Sequence, residues 1–139
     1  MKRNHLLALG VAVLAALTLT VAAFAGNAHF VGTPTLTIDG NSIIVEGKVA
    51  GLGNIPQIHV DVTADAQCVN PGTKKPKASN KQSIGAGEDV PVQNGKANFS
   101  VTATATFQPD CTPPMSLEFS NITVIITDDD GNVLLQQSF

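Results

Sequence analysis

The sequence contains no tryptophan and no tyrosine, and phenylalanine, at six copies in 139 residues, is the only large aromatic. Sugar-stacking sites and most tight protein interfaces use exposed Trp or Tyr as flat, amphipathic anchors, so a carbohydrate-binding module of the stacking type is disfavoured. Charge is sparse as well, at 14% of residues, and positive charge is the scarcer sign, with 8 Lys and Arg against 11 Asp and Glu. That balance argues against nucleic acid as a general partner. No Gly-x-Ser-x-Gly and no phosphate-binding glycine loop occurs. No recognisable set of acid, base and nucleophile appears, so an enzyme is not expected, and neither is a cofactor.

One long apolar run is present, and it lies at the start. Lys2 and Arg3 are followed by an apolar stretch from Leu6 to Leu17 and by Ala23-Phe24-Ala25, the small-x-small pattern that signal peptidase accepts. The reading is a signal peptide over 1–25 and a single domain over 26–139. An uncleaved anchor is the alternative, since the run to Ala25 is about the length that spans a bilayer. Cleavage leaves 6 basic against 11 acidic residues, a formal charge of −5. The expected location is extracellular, with no membrane span after cleavage.

Period-two alternation dominates the remainder. In Gln57–Gln67, Ile58, Val60, Val62, Ala64 and Ala66 share one face, and His59, Asp61, Thr63, Asp65 and Gln67 the other. Lys96–Phe107 repeats the pattern, with Ala97, Phe99, Val101, Ala103, Ala105 and Phe107 inward and Thr102 and Thr104 among the outward residues. Shorter strands are expected over 35–38, 42–49, 90–93, 117–127 and 133–138. They are separated by the turn signals Asp39-Gly40-Asn41, Asn94-Gly95 and Asp128–Asn132. Pro91 marks an edge strand. Seven or so short, evenly spaced strands predict an all-β fold, an antiparallel immunoglobulin-like β-sandwich, with a small barrel as the alternative.

Two cysteines in an exported chain predict one disulfide, Cys68–Cys111. Strand parity agrees. The third and fifth strands run the same way, and each cysteine follows the end of one of them, so both fall at the same pole.

With CVNPG after a strand, then NGKANFSV, then a cysteine in QPDCTPPM before a strand rich in Thr and Ile, residues 67–127 resemble a group of small secreted bacterial proteins, mostly uncharacterised. The resemblance implies secretion, a single disulfide and a β-rich fold. It brings no catalytic or binding residues.

Candidate sites are few. Lys74, Lys75, Lys77 and Lys81 gather in a stretch from Cys68 to Gly87 whose Pro, Gly and Asn content predicts loop over most of its length. Such a cluster would attract an anionic cell-envelope polymer or a lipid headgroup, and it also suits a solvated loop. Asp128, Asp129 and Asp130 are weak cation candidates, because no bidentate acid follows at the spacing a calcium loop requires. His59 and Asp61, with Asp65 further along, could begin a metal site but lack further ligands in sequence. His29 falls in a segment read as flexible. Asn98 and Asn121 open glycosylation sequons, which matter only in a eukaryotic secretory pathway. The expected role is non-catalytic, structural or in surface interaction. Anion binding through loop 69–82 is the alternative, and a secreted hydrolase the weaker one.

Overall fold

The computed structural model describes residues 27–72 and 80–139. The segment 1–25 expected to be a signal peptide and Lys74, Lys75 and Lys77 lie outside the described residues. Alternating sequence becomes two antiparallel sheets. In the first, β3 (Ser42–Ala50) is central. One of its edges pairs with β6 (Ala97–Thr104), and the other is shared end to end by β1 (His29–Phe30) and β2 (Thr35–Asp39). The second sheet has the order β5-β4-β7-β8, from β4 (Gln57–Val69), β5 (Lys81–Pro91), β7 (Ser116–Thr127) and β8 (Val133–Ser138). The chain changes sheet three times, at β3–β4, β5–β6 and β6–β7.

Turn chemistry sets the registers. Asp39 pairs with Ser42 across Gly40-Asn41, and Gly40 supplies the positive φ of +59° that a two-residue hairpin needs. Asn94 and Gly95 both take positive φ, at 53° and 72°, as a type I′ turn demands, and Gln93 and Lys96 exchange two backbone hydrogen bonds across them. Leu52 N–H donates to the Gly95 carbonyl, which fastens the β3–β4 connection to that turn.

The inward faces of both sheets form one core. Ile43, Val45 and Val49 of β3 and Phe99 and Val101 of β6 meet Ile58, Val60 and Val62 of β4 and Val124 and Ile126 of β7. Each aliphatic side chain taken fully out of water contributes about 1.5–3 kcal/mol. The expected faces hold throughout, since Val60, Val62, Phe99, Val101, Phe107, Val124 and Ile126 are buried, and Thr102 and Thr104 are exposed. Gly47 is required beneath Phe99. A β-carbon there would approach the ring Cζ to 2.7 Å, and Pro34 closes the space behind it.

Side chains shrink toward one pole, where Ala64, Ala66, Ala103 and Ala105 line the facing strands. There Ala66, Cys68, Ala105 and Phe107 form a second small cluster, flanked by Cys111, Met115 and Leu117. The Cys68–Cys111 disulfide completes it, with Cα atoms 5.7 Å apart.

Three expectations need correction. The loop expected over 69–82 is shorter, because Val69 ends β4, and Lys81 and Gln82 open β5. The short strand expected over 90–93 is instead the end of an eleven-residue strand running back to Lys81. Its Ser, Gly and Ala residues have poor strand propensity, but the backbone of the long β4 offers partners from Gln57 to Gln67, and this pairing outweighs propensity at a half-exposed edge. Pro91 does lie on an edge strand, as expected. Finally, His29 lies in β1, paired with Ala50, rather than in a flexible lead-in, which raises the strand count to eight.

Candidate functional site

The salt bridges among the described residues lie on the outer face of the second sheet. Period-two geometry places His59 and Asp61 outward on β4. The β4–β5 register sets Asp89 opposite His59 and Gly87 opposite Asp61. The imidazole is held at both nitrogens, with Nδ1 2.6 Å from Asp89 Oδ1 and Nε2 3.2 Å from Asp61 Oδ1. Gly87 makes this possible, because a β-carbon there would lie 2.7 Å from Asp61 Oδ1 and 3.0 Å from His59 Nε2. The hydrogen bond to Asp89 is the main cause that raises the His59 pKa above 6.5. Partial desolvation opposes it, and the charge of Asp61 adds to it.

When protonated, the ring donates from both nitrogens and fastens β4 to β5 from two sides; when neutral, one nitrogen donates and the other carries a lone pair. Its contribution has a sign. The raised pKa makes it fully present below the unfolded-state value near 6.5, and it is lost as pH rises through the folded-state value. The ring is 41% exposed, so the effect stays within the about 0.2–1 kcal/mol of a solvated ion pair. Urea unfolding at pH 5.5 and 8.5 should show wild type losing more stability across that interval than His59→Gln.

The neighbouring polar groups are likewise engaged with one another. Asp65 accepts from Ser83 Oγ at 3.2 Å and from Asn121 Nδ2 at 2.9 Å, which joins β5, β4 and β7. Asn121 takes a φ of +52° at the point where β7 bulges against β4, and the bulge turns its amide toward Asp65. At the disulfide pole the Gln82 side chain acts as a strand surrogate. Its Nε2 donates to the Thr106 carbonyl at 3.1 Å, and its Oε1 accepts from the Thr106 N–H at 2.9 Å, tying β5 to the continuation of β6.

Asp128 caps its own turn. Its carboxylate accepts from Asn132 Nδ2 and from the backbone N–H groups of Asn132 and Asp130, and these bonds hold its pKa below the usual carboxylate value, the Asn132 side chain first. Asp129 reaches Gln57 at 3.5 Å, and Asp130 is exposed. Among the described residues no group of three His, Cys, Asp or Glu side chains has the geometry to hold a metal ion. Lys81 is exposed at the start of β5, opposite Gln67, beside a shallow cleft shared with Asp65 and Ser83.

A second cleft of about 360 Å³ opens at the disulfide pole between the Gly40–Asn41 turn and the β6–β7 connection, and Ala105, Phe107, Leu117 and Cys111 form its walls. Asp89, Ser83, Gln82 and Asn121 are the residues that sequence reasoning missed. A strand assignment from Lys81 to Pro91 would have placed Asp89 opposite His59. No described helix is long and apolar enough to cross a membrane. Comparison with protein families, curated proteins and solved structures finds no match to the chain.

Proposed function

We propose that the protein is an exported, non-catalytic sandwich module that works through surface contact on a stiff scaffold. One observation carries this reading. His59, the side chain best suited to chemistry, bridges strands instead of facing a cleft: its two nitrogens lie on Asp61 of its own strand β4 and Asp89 of the neighbouring β5. The strand order supports an immunoglobulin-like assignment within the sandwich class. What supports it is the division into β1/β2-β3-β6 and β5-β4-β7-β8 with three changes of sheet, although the bridge sits at a pole rather than across the core. Export is supported by the leader pattern and by the disulfide.

The test uses the mature chain and His59→Gln together. Both should bind whole envelope fractions equally and show no turnover on ester, glycoside or peptide substrates. Turnover lost in His59→Gln would replace this reading with that of a secreted hydrolase.

Charge distribution favours a second reading. All 11 acids lie among the described residues, which hold only Lys48, Lys81 and Lys96 as basic partners, while Lys74, Lys75 and Lys77 follow one another within residues 73–79. The field of such a run reaches about 8 Å at physiological salt, enough for a polyanion in direct contact. Replacing Lys74, Lys75, Lys77 and Lys81 together by Gln should leave Tm within about 2 °C, because solvated charges add little stability. A saturable, salt-sensitive interaction with anionic liposomes or teichoic acid that disappears in this variant would make the loop the binding element.

A further inference from the structure

The two sulfurs of the bridge stand in different surroundings. Cys68 closes the inward face of β4 and is 2% exposed. It is buried with Ala66, Ala105 and Phe107, and Met115 Sδ lies 3.8 Å from its Sγ. Cys111 is half-buried instead, and it lines the cleft of about 360 Å³ at the disulfide pole with Asn41, Ala105, Phe107, Asp110 and Leu117. Cys68 is not part of that wall.

The chain on either side of Cys111 is open as well. Residues 108–110 before it and 112–114 after it are all exposed. Among the described residues, the stretch 107–115 makes one backbone hydrogen bond, from Met115 N–H to the Thr112 carbonyl. The pairing of β6 ends at Thr104, and that of β7 begins at Ser116. Cys68 has the opposite setting. Its neighbours Gln67 and Val69 are held in the β4 ladders, and Cys68 itself pairs with Leu117.

Thiol–disulfide exchange responds to this difference, because its rate depends on which sulfur is attacked and on access to it. A thiolate bound for Cys68 would have to enter the packed cluster, whereas Cys111 is reached from the cleft. We propose that Cys111 is the exchange site of the folded protein. It is the sulfur on which a thiol–disulfide oxidoreductase of the Cys-x-x-Cys class forms its mixed disulfide, and Cys68 is the resolving thiol. In opening, a thiolate of the reduced oxidoreductase bonds to Cys111 Sγ. The Cys68–Cys111 bond breaks, and its electron pair stays on Cys68, which takes a proton from water. The second thiol of the Cys-x-x-Cys pair then displaces Cys111, which takes up the proton. The oxidoreductase leaves as a disulfide and this chain as a dithiol. Closure runs the other way. The Cys111 thiolate opens the oxidised Cys-x-x-Cys pair, and Cys68, kept in register by β4, displaces the oxidoreductase from Cys111. The exposed flanks, free of any sheet ladder, give the oxidoreductase a peptide to hold on either side of the sulfur it attacks.

The test incubates the folded, oxidised mature protein with a thioredoxin-type protein whose second active-site cysteine is replaced by alanine, so that a mixed disulfide cannot be resolved. Peptide mapping of the adduct should find the link at Cys111. A second arm uses Cys68→Ala and Cys111→Ala, each kept below its melting transition as followed by far-UV circular dichroism. An aromatic disulfide should react with the remaining thiol faster in Cys68→Ala than in Cys111→Ala by about tenfold or more, and the two rates should converge in denaturing urea. An adduct at Cys68, no adduct with the folded protein, or equal rates in the folded variants overturns the assignment. The trap acts on the unaltered chain, so it decides the question even where a single-cysteine variant does not fold.

Discussion

Val101→Asp is expected to abolish cooperative folding. Val101 is 3% exposed at the middle of β6, directly opposite Val45 of β3, which is wholly buried. Its neighbours in the core, Val45, Val60, Val62 and Val124, offer no hydrogen-bond donor. An aspartate there would have to bury an unpaired charge or take up a proton, and either route costs several kcal/mol. Total stability for a domain of this size is about 5–15 kcal/mol, so one such change removes much of it. The paired control is Thr102→Asp, one residue along and on the exposed face, which should melt within about 3 °C of wild type. Thermal melts of the two variants, followed by far-UV circular dichroism, give the comparison. A soluble Val101→Asp protein with a cooperative transition near that of wild type would mean that the face assignment along β6 is wrong.

The same alternation explains why so much of the fold was legible. Gln57–Gln67 and Lys96–Phe107 carry a strict apolar-polar period because each has one face on the core and one in water, and every inward residue expected there is buried. The hairpin turns were legible because Gly40, Asn94 and Gly95 supply backbone angles that few other residues tolerate. Most of strand β5, before Val90, was not legible. Its outward positions are Lys81, Ser83, Gly85, Gly87 and Asp89, and inward Gln82 and Glu88 break the apolar series Ile84, Ala86 and Val90, since an edge strand can be held by its backbone ladder. With β5 unread, Asp89 could not be placed beside His59, nor Gln82 beside Thr106. The His59 cluster was half visible: His59-x-Asp61 is local, whereas Asp89 arrives through a register thirty residues away. Gly87 is informative in retrospect, because its missing side chain leaves room for the Asp61–His59 contact to cross the β4–β5 pair.

Removing the disulfide should have the other large effect. Cys68 ends the inward face of β4 and is 2% exposed, while Cys111 sits within the connection that carries the chain from β6 in one sheet to β7 in the other. The bridge spans 43 positions of sequence. Closing a loop of that length in the unfolded chain is worth about 4 kcal/mol in the chain-entropy model. The native pole has little else to replace it. Ala66 and Ala105 are small, and Phe107 is the one large aromatic or aliphatic side chain buried in that cluster. Cys68→Ala combined with Cys111→Ala should therefore lower Tm by roughly 15 °C, given the unfolding entropy of a domain near this length. A reducing agent should move wild type toward the same Tm and leave the double variant unmoved. Local and global effects separate by proteolysis. Cleavage between Phe107 and Met115 should accelerate in the double variant at temperatures well below its melt, because the connection loses its anchor to β4 before the sheets part. A double variant that melts within about 3 °C of wild type would show that the β4–β7 ladder, which pairs Cys68 with Leu117 and Val69 with Ser116, holds the pole without the bridge.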